Sequence, residues 1–203
     1  MGDVDWQKDD ILLRGHTDSD KSILAQTLAK GGYLTRAVVS HDVFVTGGLE
    51  RGFQEIEPVM ARPSAEAVTD RARRWLRNLR GAKQRDNWQP LFLLAHYHDA
   101  HRPLDAPEED QLWGKAARAD AYDGMLHHVD RHVGRLLKAL FREDIREDTI
   151  IVLSSGQGQG FGEHGQGQDH PRLYNEDIQV PLLLWLPGAK AAKHKLFVST
   201  LDV

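Results

Sequence analysis

The chain has 203 residues, a length that suits one domain and can bury a sizeable core. Hydrophobic residues make up 40% and charged residues 28%, and the formal net charge is -4, so nothing points to the basic face that nucleic-acid binding needs. Cysteine is absent, which excludes disulfides, thiolate metal sites and a cysteine nucleophile, and leaves the compartment open.

Along the chain, the first residues, Met1-Gly2-Asp3-Val4-Asp5-Trp6, are too acidic and polar for a secretory signal. No apolar run is long enough to span a bilayer, so neither a membrane nor a nucleic acid is an expected partner. The eleven histidines are the one compositional oddity. Imidazole is a common metal ligand and proton carrier, so their placement is worth following.

Ser22 to Lys30 reads as a helix, with Ile23, Leu24, Thr27 and Leu28 at helical spacing, Ser22 as cap and Gly31-Gly32 as stop. Tyr33 to Ser40 reads as a buried strand. Gly47-Gly48 and Gly52 mark turns, and Pro58 to Pro63 a loop. Ser64 to Leu79 is a second helix, capped by Ser64, with Val68, Ala72, Trp75, Leu76 and Leu79 as its apolar stripe. Leu91 to Tyr97 is an apolar run of strand length, and His98 to Pro107 a polar loop.

Ala116 to Phe141 carries the longest helical pattern, through Tyr122, Met125, Leu126, Val129, Val133, Leu136, Leu137 and Leu140. Thr149 to Ser155 reads as a buried strand, Gly156 to Gln168 as a Gly/Gln-rich loop, and Pro181 to Leu186 as a last strand. Helices alternating with short apolar strands predict an α/β fold, with a mainly parallel sheet flanked by helices on both faces. Ligands of such sheets sit beyond the carboxyl ends of the strands. Two loops fit that place: one with His98, Asp99 and His101, the other with the glycines, Glu163, His164 and His170.

Three constellations carry candidate chemistry. In His96-Tyr97-His98-Asp99-Ala100-His101, His96 and His98 share one side of an extended segment. Such a set can bind a metal or an anion; the bland reading is a polar strand end with solvated histidines. His127, His128 and His132 include a pair four apart on a helix, a spacing compatible with metal, although Val129 stands where a zinc-protease motif needs Glu. The simpler reading is an exposed helix face. Gly160, Gly162 and Gly165 match the spacing of a dinucleotide fingerprint after a strand, yet polar Gln166 to Arg172, with Pro171, follows where the fingerprint needs an apolar helix. That leaves a dinucleotide-binding module and a plain glycine loop as alternatives.

The order of these pieces resembles the sulfatase family of alkaline-phosphatase-like hydrolases. Thr149 to Ser155, then Gly160-Phe161-Gly162-Glu163-His164-Gly165, Leu173-Tyr174-Asn175-Glu176 and Val180-Pro181-Leu182-Leu183 follow the family's run of a strand, "GFGEHG", "LY(D/E)E" and "VPL". Thr27 to Thr35 resembles "TLAxxGYxT", Gly47 to Phe53 "GLxRGF", His96 to Pro103 "HxxDPHxPY", and Tyr122 to Leu137 the long "YxxxxxxVDxxxGxLL" helix.

The resemblance implies an alkaline-phosphatase/sulfatase-like core. It implies that residues 1–203 form a single domain, truncated of the N-terminal nucleophile and metal segment and of the C-terminal part. The family's nucleophile sits in a "CxPSR"-like motif, which Asp18, Ser19 and Asp20 do not reproduce, so no catalytic residue is assigned. The family's Asp-His cation pair falls on Gly156 and Gln157, so no metal is expected. His101 falls at the histidine that faces the leaving group or sulfate oxygens, and His170 near a second, with Pro171 in place of a usual glycine. His98 and His164 complete the candidate anion-binding set. The expectation is a degenerate sulfuric-ester hydrolase with little or no activity of its own, taking a sulfate or phosphate ester or another anion. The alternative is an active hydrolase, completed by another chain or segment and holding Ca or Mg.

Overall fold

The computed structural model describes residues 22–46, 49–83, 88–114, 116–142, 145–165, 173–195 and 198–199. The chain divides into two compact units, Met1–Glu143 and Asp144–Val203.

The first unit opens with α1 (Leu24–Lys30) and β1 (Leu34–Val39). Ile23, not Ser22, occupies the position before α1. Its free N–H donates to Gln26 Oε1 at 3.1 Å, while the Ser22 hydroxyl meets Thr27 Oγ1 at 3.2 Å. The glycine stop is as expected: Gly31 N–H donates to Thr27 O at 3.1 Å, and Gly32 takes φ +86°.

After β1 come a short α2 (Val43–Thr46), β2 (Glu55–Pro58), α3 (Ala65–Lys83), β3 (Leu91–His96) and α4 (Arg118–Arg142). The strands form one parallel sheet in the order β2-β1-β3, with Val39 level with both Pro58 and His96. Strand β2 is one that the sequence pattern does not predict; the expected loop begins at Pro58, its last residue. Its Glu-Ile-Glu-Pro sequence lacks an apolar run, because it is an edge strand whose residues are half-buried or exposed.

Helices α1 and α3 pack against the sheet, and α4 packs on α3. The core centres on Val38, Val59, Val68 and Ala72, with Trp75, Leu93, Ala95, Tyr97 and Leu136 against it. Burying a valine such as Val38 or Val68 contributes about 1.5–3 kcal/mol. The parallel sheet flanked by helices agrees with the expectation.

The second unit contains β4 (Ile151–Ser154), a short α5 (Asn175–Ile178) and β5 (Leu182–Trp185). Here the strands pair antiparallel, Ile151 opposite Trp185 and Ser154 opposite Leu182. The buried strand expected from Thr149 to Ser155 is not buried: Val152, Leu153 and Ser154 are exposed. Among the described residues β4 and β5 pair only with each other, so neither strand gains the cover of a wider sheet.

A histidine-lined sheet end as candidate oxyanion site

Strands β1 and β3 run side by side, so the segments after their last residues meet. Ser40 stitches them together: its hydroxyl donates to His96 O at 2.8 Å and accepts from His98 N–H at 2.8 Å. This brings His41, which follows β1, beside the histidines that follow β3. The His98 ring lies 4.5 Å from His101, nearly parallel to it, and 4.5 Å from His41, edge-on. The His96 ring lies 5.8 Å from His98. Thus His98 and His101, expected together from their spacing, do meet, and His41 joins them. Sequence reasoning missed His41, because only the β1–β3 pairing sets it next to residues more than fifty positions away.

Partial burial and crowding disfavour charge on these rings. Burial, then the neighbouring His101, His41, Arg62 and His96, lowers the His98 pKa to about 3. Burial and then His41 lower that of His96 to about 4. His101 is the exposed member of the set; burial, then Arg62 and His41, still pulls it below the ordinary imidazole range. The Arg62 guanidinium lies alongside, donating from Nη1 to the carbonyls of Arg102 and His101.

Asp99, between the two site histidines, has a different task. It is 3% exposed, and its carboxylate accepts from the N–H of Ser64, the N–H of Ala65 at 3.2 Å and the Ser64 hydroxyl at 2.6 Å. Ser64 therefore does not cap α3 by itself: its hydroxyl donates to Asp99, which satisfies the orphan amides of the first turn. Tyr97 OH meets Thr69 Oγ1 at 2.8 Å, fixing the other side of the same loop to α3.

The histidines of α4 are not the solvated face that spacing suggested. His128 and His132 are 4% and 3% exposed. Asp110, itself buried, takes a hydrogen bond from His127 Nδ1 at 2.9 Å, from His128 Nδ1 at 2.7 Å, and from the Arg131 guanidinium. His132 Nδ1 accepts from Arg135 Nη1 at 3.0 Å. This is a buried carboxylate with three donors. Among the described residues, no three His, Asp, Glu or Cys side chains are placed to hold a metal ion.

In the second unit the glycine loop lies on α5. Gly158 N–H donates to Asp177 O at 2.8 Å, and Gly160 N–H to Asp177 Oδ1 at 3.1 Å. A Cβ on Gly158 would overlap the Glu176 carbonyl. Of the fingerprint glycines, Gly160 thus has its amide engaged by Asp177. The His164 ring stacks 3.7 Å from Tyr174, and its Nε2 meets Glu176 Oε1 at 2.7 Å. His164 is therefore held by a carboxylate. His170, the fourth anion candidate, and Pro171 lie outside the described residues.

A parallel sheet flanked by helices, with its polar cluster beyond the carboxyl strand ends, defines a class: α/β proteins with a helix-covered parallel sheet. A Vibrio parahaemolyticus protein of the alkaline phosphatase superfamily shares the fold, with a TM-score of 0.60 at 17% identity over 81% of this chain and 41% of that one. The family model described as Sulfatase matches residues 16–203, and the chain belongs to that family. An uncharacterized sulfatase of Escherichia coli, YidJ, is 28% identical over 133 residues, covering 56% of this chain and 27% of YidJ. Human iduronate 2-sulfatase is 35% identical over 81 residues, 38% of this chain and 14% of that protein. The chain thus spans well under half the length of the relatives it matches. No helix among the described residues is long and apolar enough to cross a membrane.

Proposed function

We propose that this sulfatase-family domain holds the oxyanion of a sulfate or phosphate ester at His98 and His101 and hydrolyses it weakly or not at all by itself. The observation that carries the reading is Gly156-Gln157, at the positions where the family resemblance puts an Asp-His cation pair. A Cβ on Gly156 would meet nothing within 4 Å, and the Gln157 carbonyl accepts from Ser155 Oγ at 2.6 Å. The two positions offer one neutral amide side chain and no carboxylate or imidazole. A hard dication needs several anionic oxygens to offset its dehydration, so these residues do not fit one. The family reaction relies on a cation to stabilise charge on the ester oxygens. Without that contribution, the chemistry supported at His98 and His101 is recognition.

The test is metal analysis of the purified chain together with turnover of aryl sulfate and aryl phosphate esters. The expected result is substoichiometric Mg, Ca, Mn and Zn and no turnover above background. Metal-dependent turnover abolished by His101→Ala would overturn the reading.

A second reading is favoured by the short span of the relatives that the chain covers. On it, another chain or segment supplies the nucleophile and the ligands for Ca or Mg. Stoichiometric metal in a complex purified from the native source, with ester turnover, is the result that would establish it.

A further inference from the structure

The sheet end holds more imidazole than a fixed anion site needs. His41, His98 and His101 form one continuous cluster, each neighbouring pair of rings 4.5 Å apart. Of the nearby carboxylates, one is committed to α3 and one pairs with His41. Asp99 gives both oxygens to the start of α3, and Asp42, on the exposed side, meets His41 Nδ1 at 3.1 Å. Among the described residues, the charged or titratable groups around the rings include His96 from the end of β3, Tyr97, whose hydroxyl is turned to Thr69, Arg102 in the loop, and Arg62 ahead of α3.

We propose that His98 and His101, with His41 packed against them, act as one proton-coupled receptor, taking up a tetrahedral oxyanion and a proton together. The proposal rests on the oxyanion reading above and adds its regulation. Charging His98 or His101 puts a positive charge beside neighbouring imidazoles and Arg62, which disfavours it. A bound oxyanion reverses that balance, and because the rings adjoin, the proton belongs to the cluster rather than to one residue.

The low value of His98, at about 3, and the lowering of His101 below the ordinary imidazole range favour the neutral form of both rings near pH 7 without ligand. The sign follows by linkage. The complex binds more protons than the free protein, so affinity rises as pH falls between the free and bound pKa values. The limit is about tenfold per pH unit for each proton taken up.

Calorimetric titration of the full chain with inorganic sulfate tests this, because sulfate itself stays a dianion across the range. From about pH 7 to about pH 5, Kd is expected to fall roughly three- to tenfold per unit. Buffers of different ionisation heat should reveal uptake of about one proton per sulfate. His98→Gln should retain less than about half of that pH slope, with its fold checked by circular dichroism. The proton count on the unaltered protein stands independently of that variant. Saturable binding with a pH-independent Kd and no proton uptake overturns the proposal and leaves the oxyanion reading intact. No saturable binding at any pH overturns both. Phenyl sulfate and phenyl phosphate are each expected to compete with sulfate; failure of both overturns the assignment of the site to esters.

Discussion

Asp99 shows how one side chain serves fold and site together. It satisfies two backbone amides and a hydroxyl at the start of α3 while standing between His98 and His101. Asp99→Ala strips the first turn of that partner, and the expected cost is about 1–3 kcal/mol in urea unfolding, with loss of sulfate binding as the loop loosens. Asp110, in the segment ahead of α4, is the counterpart facing that helix. Burial raises its pKa, but the hydrogen bonds from His128, Arg131 and His127 outweigh this and hold the carboxyl below its usual range. A depressed folded pKa contributes stability above the unfolded value of about 4, which is lost as pH falls through the folded one. Asp110→Asn should therefore cost about 2–3 kcal/mol near neutrality and flatten the acid limb of the stability profile below about pH 4, as read by unfolding at graded pH.

At the scale of elements, the turn before β2 is joined to both α1 and β1. Gly52 takes φ +85°, and a Cβ there would overlap the backbone of Ala25 and Gln26. Its carbonyl accepts from the Thr35 hydroxyl at 2.6 Å. Gly52→Ala is expected to lower stability by at least about 2 kcal/mol, seen as a reduced Tm, while a substitution at the open Gly32 should cost less.

Elements with a strong period were legible from sequence. The stripes of α3 and α4 gave their existence and near-correct bounds, and apolar runs gave β1, β3, β4 and β5. The edge strand β2 was not legible, because Glu55-Ile56-Glu57, from exposed to half-buried, carries no apolar run. At the site, His98 and His101 were legible as neighbours in sequence. His41, and the capping role of Asp99 toward Ser64, depend on contacts between distant segments that periodicity does not encode.

For the whole molecule, the two units differ in how well they are covered. The first has a buried centre in which Val38 and Val68 are inaccessible to solvent. The second exposes Val152, Leu153, Leu183 and Leu184 on its two strands. A two-stranded apolar sheet open to water is an association hazard. The native chain is expected to bind an apolar dye and to self-associate with rising concentration. Val152→Ser with Leu184→Ser, paired across the strands, should reduce both with little change in Tm; unchanged light scattering would count against this.

The carboxylate that joins residues 99 and 64 also makes the helix start a remote reporter. Hydrogen exchange at the Ser64 and Ala65 amides registers whether the histidine loop is docked, since their partner lies in that loop. Docking of that loop can thus be followed by mass spectrometry on a peptide some thirty-five positions upstream, with no label placed on a histidine ring.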